Sequence, residues 1–153
     1  MRRCPTYEQA TVAGMDIAAA LDFARTTKNS VLTTIKRDGR PQMSNVTHGV
    51  DGAGLILISI TADRAKFFNI TRDQRVSLYV TRADFMAYAV LDGHGELAPV
   101  SADPNDATVD ALVAFYRAIA GEHPDWGDYR RAMVADRRTL VRMSPTHVYG
   151  WLG

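Results

Sequence analysis

The chain has 153 residues, is 46% hydrophobic and 23% charged, and carries a formal net charge of +1. That size and balance suit one globular domain with a buried core, and they leave no global basic field of the kind that draws nucleic acid or an anionic membrane. No apolar run approaches the roughly 20 residues needed to span a bilayer, no hydrophobic segment follows Arg2 and Arg3 to make a signal peptide, and the single cysteine, Cys4, excludes an internal disulfide and suits a reducing, cytoplasmic setting.

Residues 1–14 read as a flexible lead, and residues 15–153 as one domain. Asp16 is placed to cap a short helix to about Arg25, with Ile17, Ala20, Leu21 and Ala24 at helical spacing. Val31–Ile35 is a β-branched run and Arg40–Val50 its returning strand. Between them Lys36-Arg37-Asp38-Gly39 makes a turn, with Gly39 suited to a left-handed position. Asp51-Gly52-Ala53-Gly54 turns the chain again into a third strand, Leu55–Ile60, which completes a meander.

A helix is expected from Ala62 to about Asp73. Val76–Val80 follows as a strand and Thr81–Phe85 as a loop. Met86–Leu91 reads as a central strand running past Gly93 and Gly95, which mark a bulge or bend. Asp106 opens a helix whose stripe of Val109, Leu112, Val113, Tyr116, Ile119 and Ala120 stops at Gly121. A further helix spans Trp126 to Asp136, which would leave Arg137-Arg138 with Arg130-Arg131 on a solvated face. Thr139–Met143 and His147–Trp151 read as closing strands around Ser144-Pro145. Six or seven short, mostly antiparallel strands with helices inserted between them describe a small, mainly β barrel.

Leu55–Asn69 is the stretch with chemistry in it. A strand ends at Thr61, and a helix start then carries Arg64, Lys66 and Asn69. The first N–H groups of a helix have no internal partner, and the macrodipole makes that end partly positive. Cations there are unfavourable unless an anion binds. Lys66 and Asn69 share a helix face, so Arg64 can join them only from the cap or before it. The other reading is that both cations are solvated surface charges.

Other chemistry is missing. Gly93-His94-Gly95 lacks a dinucleotide fingerprint, and there is no phosphate-binding P-loop. His48, His94, His123 and His147 have no metal-ligand spacing, so no metal site is expected. No nucleophile signature occurs. A phosphate-type site without an acid, base or nucleophile suits a protein whose bound cofactor supplies the chemistry.

Gly39-Arg40-Pro41-Gln42-Met43-Ser44-Asn45-Val46 resembles the G-R-P-Q-x-S-N-V segment of the pyridoxamine 5′-phosphate oxidase-like split-barrel flavoproteins. Arg64-Ala65-Lys66-x-x-Asn69, then Arg72-Asp73-x-Arg75, is similar to the helix after the third strand in the actinobacterial branch that uses the deazaflavin coenzyme F-420. Tyr116-Arg117 through Trp126, Asp136-Arg137-Arg138 and His147-Val148-Tyr149-Gly150 are similar to that branch's later segments.

The resemblance implies a split β-barrel and a homodimer with cofactor sites at the subunit interface. It implies hydride transfer between coenzyme F-420 and a small unsaturated organic substrate. FMN in an oxidase-type relative, or a cofactor-binding protein without turnover, are the alternatives. A haem-binding split barrel is a further one, with His48 or His147 as axial ligand. By the same resemblance Arg64 and Lys66 hold the phosphate, with Asn69 as a supporting donor. Ser59, Ile60 and Thr61 contact the phosphate or ribityl chain. Pro41, Gln42, Met43, Ser44 and Asn45 flank the ring, and Met86 and Tyr88 from the partner subunit wall it. The catalytic residues are left unassigned.

Overall fold

The computed structural model describes residues 15–153, so the expected lead over residues 1–14, Cys4 included, lies outside the described residues. Four helices and six strands follow in the order α1 (Ile17–Arg25), β1 (Asn29–Ile35), β2 (Pro41–Val50), β3 (Ile56–Thr61), α2 (Ala65–Arg72), β4 (Arg75–Thr81), β5 (Tyr88–Leu97), α3 (Ala107–Ala120), α4 (Trp126–Ala135) and β6 (Arg138–Trp151). The strands close into one barrel in the order β1-β2-β3-β6-β5-β4, and every pairing is antiparallel. The expected mainly β barrel with helical insertions is therefore present.

Alternation with period two builds the interior. Leu32, Ile56, Ile58, Ile60, Leu78, Val80, Leu91, Val141 and Met143 are almost fully buried and fill it. Ala20, Leu21 and Ala24 of α1 and Ile70 of α2 add to the same core. Asp16 caps α1 as expected, accepting from the Ala19 amide at 2.8 Å. A second core lies outside the barrel wall, where Val109, Leu112, Phe115, Tyr129 and Met133 of α3 and α4 pack on Leu140. Asp106 caps α3, accepting from Val109 N–H at 2.8 Å. No helix among the described residues is long and apolar enough to cross a membrane.

Three boundaries differ from expectation. The helix expected from Ala62 begins at Ala65, because the chain first turns through Arg64 N–H to Thr61 O at 3.4 Å. Met86 lies in the loop before β5 and is 57% exposed, so the strand starts at Tyr88. The two expected closing strands are one strand, β6. It passes Ser144-Pro145 without a break because Pro145 sits opposite Gly93, next to a register shift that leaves Thr146 as the extra residue. A residue with no N–H is tolerated at such a bulge, where no ladder bond is required of it. Gly39 takes the left-handed conformation foreseen for it, with φ 83°.

His48 is one of the few polar side chains buried among the apolar ones, with Ser30, Thr34 and Asn69. It is 1% exposed, with Nε2 at 2.9 Å from Ala24 O and Nδ1 at 2.8 Å from Ser30 Oγ. A carbonyl only accepts, so Nε2 carries the proton and Nδ1 accepts from the Ser30 hydroxyl. Both bonds are made by a neutral ring. Burial holds its pKa below the ordinary 6.5.

Two outcomes are expected. A Cβ on Gly93 would stand 2.1 Å from Ser144 O, which is backbone. Gly93→Ala should therefore cost about 3 kcal/mol in urea unfolding, the upper part of the overpacking range. The depressed pKa of His48 means that the unfolded chain protonates first, so its contribution is complete above about pH 6.5 and declines as pH falls. Unfolding free energy measured from pH 7 to 5 should fall, and less steeply in His48→Gln.

Candidate anion and ring site

β3 delivers the chain to the start of α2. Arg64 occupies the N-cap with extended backbone (φ −94°, ψ 151°), and no side chain caps the helix. Lys66 is the second helical residue. The sequence condition that Arg64 lie at or before the cap is thus met. Asp63, which reads as a helix-start acid, instead accepts from the Thr61 hydroxyl and stands 3.7 Å from Arg64 Nε. The first turn of α2 contains no acid.

Arg64 and Lys66 border a cleft of about 560 Å³ outside the barrel. Its floor is the outer face of β2 and β3, with Asn45, Thr47, Ser59 and Thr61. Its far wall comes from α3 and α4, with Phe115, Tyr116, Ile119, Tyr129 and Met133. Ile60 borders it too, but its side chain is 2% exposed, which leaves its backbone to do so. Arg138 completes the lining.

Arg138 is the residue that sequence reasoning placed elsewhere. It opens β6 rather than lying on a helix face, and its Cα pairs with that of Thr61. Arg137, with φ 51°, makes the turn before it. Arg138 Nη1 donates to Ser59 Oγ at 3.3 Å, while its Nε is buried with no hydrogen-bond partner. The nearest acid oxygen, on Asp136, is 3.7 Å from that Nε. The signal was the Thr139-Leu140-Val141 run directly after it, with β-branched residues at both ends, which aligns Arg138 with a strand end. Tyr116 was likewise read in the apolar stripe of its helix, and Tyr129 of α4 was not singled out. Both pack on the second core, and each also turns an edge to the cleft.

The electrostatics fit an anion. The lining contains Arg64, Lys66 and Arg138 and no carboxylate. Burial, then the charges of Arg64 and Arg138, push the Lys66 pKa below its ordinary 10.5. A buried guanidinium N–H without an acceptor is costly, and a phosphate oxygen is the kind of acceptor it lacks.

A second cleft of about 530 Å³ shares Asn45, Val46 and Thr47 with the first. Its other walls set Val31, Tyr79 and Phe85 beside Asn29, Ser30 and Thr81, so that it carries no charge and more apolar surface than polar. The outer face of β2 therefore connects a cationic cleft to an apolar one.

Six of the expected residues meet at the cationic cleft: Asn45, Ser59, Ile60, Thr61, Arg64 and Lys66. The rest do not line either cleft within one chain. Pro41 and Met43 point outward farther along β2, and Met43 is 62% exposed. Gln42 and Ser44 occupy the alternate positions. Gln42 Oε1 accepts from Thr34 at 3.1 Å, and the Ser44 hydroxyl is buried without a partner. Asn69 is 6% exposed, donates to Thr34 Oγ1 at 3.0 Å and accepts from Arg72 at 3.1 Å. Its side chain serves the barrel wall. Tyr88 opens β5 with its ring 5.8 Å from that of Tyr79, a wall of the second cleft, without lining that cleft itself.

Two further sequence ideas meet the geometry. Both ring nitrogens of His48 are engaged inside the protein, which removes it as a haem ligand. Of Arg37, Arg40 and Arg72, which the sequence leaves open as the lining of a basic groove leading from the phosphate, Arg40 is bound to Asp38 at 2.7 Å and Arg72 to Ile35 O at 2.6 Å.

Comparison with solved structures gives the same barrel. A conserved hypothetical protein from Mycobacterium tuberculosis superposes with a TM-score of 0.70 at 22% identity, over 91% of this chain and 86% of that one. An F-420 reductase gives 0.60 at 23% identity, over 84% and 94%. HutZ, the heme storage protein from Vibrio cholerae, gives 0.65 at 14% identity, over 86% and 92%. Identities this low carry the fold and nothing finer. Residues 17–152 match the family described as pyridoxamine 5′-phosphate oxidase, nearly the whole described chain. With that match, the barrel and the cation-lined cleft, the chain belongs to the pyridoxamine 5′-phosphate oxidase family.

Proposed function

We propose that this protein is an oxidoreductase that binds the deazaflavin coenzyme F-420 and exchanges hydride between it and a small unsaturated organic substrate. The observation that carries the reading is the joined pair of clefts on β2, one cationic and one apolar, with no catalytic acid, base or nucleophile between them. A ribityl phosphate needs the first cleft and a ring needs the second. The resemblance of residues 64–75 to the deazaflavin branch selects the cofactor.

When bound, the cofactor supplies the hydride chemistry. This chain's residues bind and orient. Arg64 and Lys66 neutralise the phosphate, and the Thr61 and Ser59 hydroxyls offer further polar contacts beside it. Asn45 and Thr47 stand where the two clefts meet and set the register of the ring along the strand. Phe115, Tyr116 and Ile119 exclude water from the phosphate's apolar flank, which strengthens each charged contact.

Substrate and ring walls are completed by a second copy. Tyr149 and Trp151 are 49% and 51% exposed, with Met43, Phe85 and Met86 more exposed still, and Tyr88 pairs directly with Trp151. Exposed aromatic area of this kind marks an interaction surface. In a homodimer Met86 and Tyr88 would reach the partner's ring site.

FMN is the second reading. It uses the same phosphate grip but lacks an acidic tail, and the engagement of Arg40 and Arg72 within the protein favours it.

Fluorescence titration of the purified protein with coenzyme F-420 and with FMN distinguishes these readings, and tighter binding of the deazaflavin is the expected result. No binding of either would overturn both. Lys66→Ala should weaken binding by roughly 10- to 100-fold, the cost of a lost hydrogen bond to a charged group. Arg64→Ala should cost less, because its side chain is 68% exposed. Trp151→Asp should convert a dimer to a monomer by sedimentation velocity. A wild-type chain that sediments as a monomer defeats the shared-site argument.

A further inference from the structure

The structure assigns Arg138 as a third anion ligand of the cationic cleft, reaching it from β6, opposite the Arg64 and Lys66 of α2. The inference deepens the reading above, since it concerns the same cleft, but it rests on separate observations.

Register comes first. β3 and β6 are antiparallel with Thr61 opposite Arg138, and Ser59 opposite Leu140. Thr61 and Arg138 therefore share the outward side of the barrel at the strand end from which α2 departs. The side chain is fixed there, because Nη1 donates to Ser59 Oγ at 3.3 Å.

Valence comes second. A guanidinium has five N–H donors and no acceptor. Arg138 Nε is buried and donates to nothing. Asp136 lies 3.7 Å away, a long contact for a pair of this kind, and its own side chain is 52% exposed. Several arginines elsewhere on this chain are matched closely. Arg75 meets Asp73 at 2.7 Å, Arg82 meets Asp84 at 2.8 Å, and Arg130 meets Asp110 at 2.8 Å. In the cleft Arg64 and Arg138 each find an acid only at 3.7 Å. Arg138 differs in having a buried Nε with no acceptor and no acid within close range.

Charge placement comes third. Arg138 depresses the Lys66 pKa from one side and opposes the rise of the Tyr129 pKa on the other. It sits between the anion corner and the aromatic wall. Three cations around one cleft repel each other until an anion enters, and a phosphate dianion is the small group that matches such a set. Bridging α2 to β6 also ties together two elements that do not follow one another in sequence.

The test uses the full chain, wild type and the variants Arg138→Met and Arg138→Lys. The methionine keeps much of the apolar stem and removes the charge. Thermal unfolding is followed with rising inorganic phosphate against chloride at matched ionic strength, and FMN affinity is titrated by fluorescence. General salting effects of phosphate act on all three chains alike and cancel in the comparison. Expected is a phosphate-dependent rise in Tm for wild type that is mostly lost in Arg138→Met and partly kept in Arg138→Lys. FMN binding should weaken by about tenfold or more in Arg138→Met. Without phosphate, Arg138→Met should melt no lower than wild type once repulsion is relieved, a result that a purely structural arginine would not give. An equal phosphate response in wild type and Arg138→Met overturns the assignment. If the phosphate response depends on Arg138 while wild type binds neither FMN nor coenzyme F-420, the anion site stands and the proposed function fails.

Discussion

A closed barrel of six strands has no free edge and, in this chain, no free interior. Ile56, Ile58, Ile60, Leu78 and Leu91 meet inside with essentially no exposed surface. Closure satisfies the backbone ladder all round and removes the edges that would invite unwanted pairing. It also dictates where function can be. With the inside filled, a ligand must lie against the outer face, and its other walls must come from elements added to the barrel. The start of α2 and the pair α3–α4 are those additions.

The two cores keep these duties apart. The barrel core holds β2 and β3 in register, while the outer core of Val109, Leu112, Phe115, Tyr129 and Met133 holds α3 and α4 against Leu140. Leu140 faces the outer core and its neighbour Val141 the inner one, so alternation on β6 divides the two. Arg138 belongs to the same outward set as Leu140. The strand that seats the helical wall therefore also aims a cation into the cleft, and one register serves both.

Much of this was legible in residues. The meander, the glycine-marked bulge near Gly93 and the caps at Asp16 and Asp106 are local signals, and local chemistry decides them. The anion corner was legible as a tension, because cations at a helix start are unfavourable alone. What sequence could not carry was pairing across distance. Arg138 enters the cleft through β3–β6 pairing, 77 positions after Thr61 by subtraction of their numbers in the register. Asn69 matches Lys66 in helical spacing, yet it is held inward by Thr34 and Arg72. Asp63 falls within the helix expected from Ala62, but it lies in the turn before α2, where it accepts from the Thr61 hydroxyl. Met86 had the hydrophobicity of a strand residue and falls in the loop instead.

Alternation on β2 adds the last constraint. Residues 41–45 cannot all present side chains to one ring, because successive positions face opposite sides. Gln42 and Ser44 face the barrel, with Gln42 spent on Thr34. They can meet an outside ligand through backbone alone, while Met43 and Asn45 can meet it with side chains. A motif that reads as one contiguous contact surface is thus two interleaved sets. One faces the barrel and the other faces outward, where Asn45 lines the cleft. Substitutions at odd positions should alter recognition and those at even positions stability, so the segment's sequence is constrained twice over by a single strand.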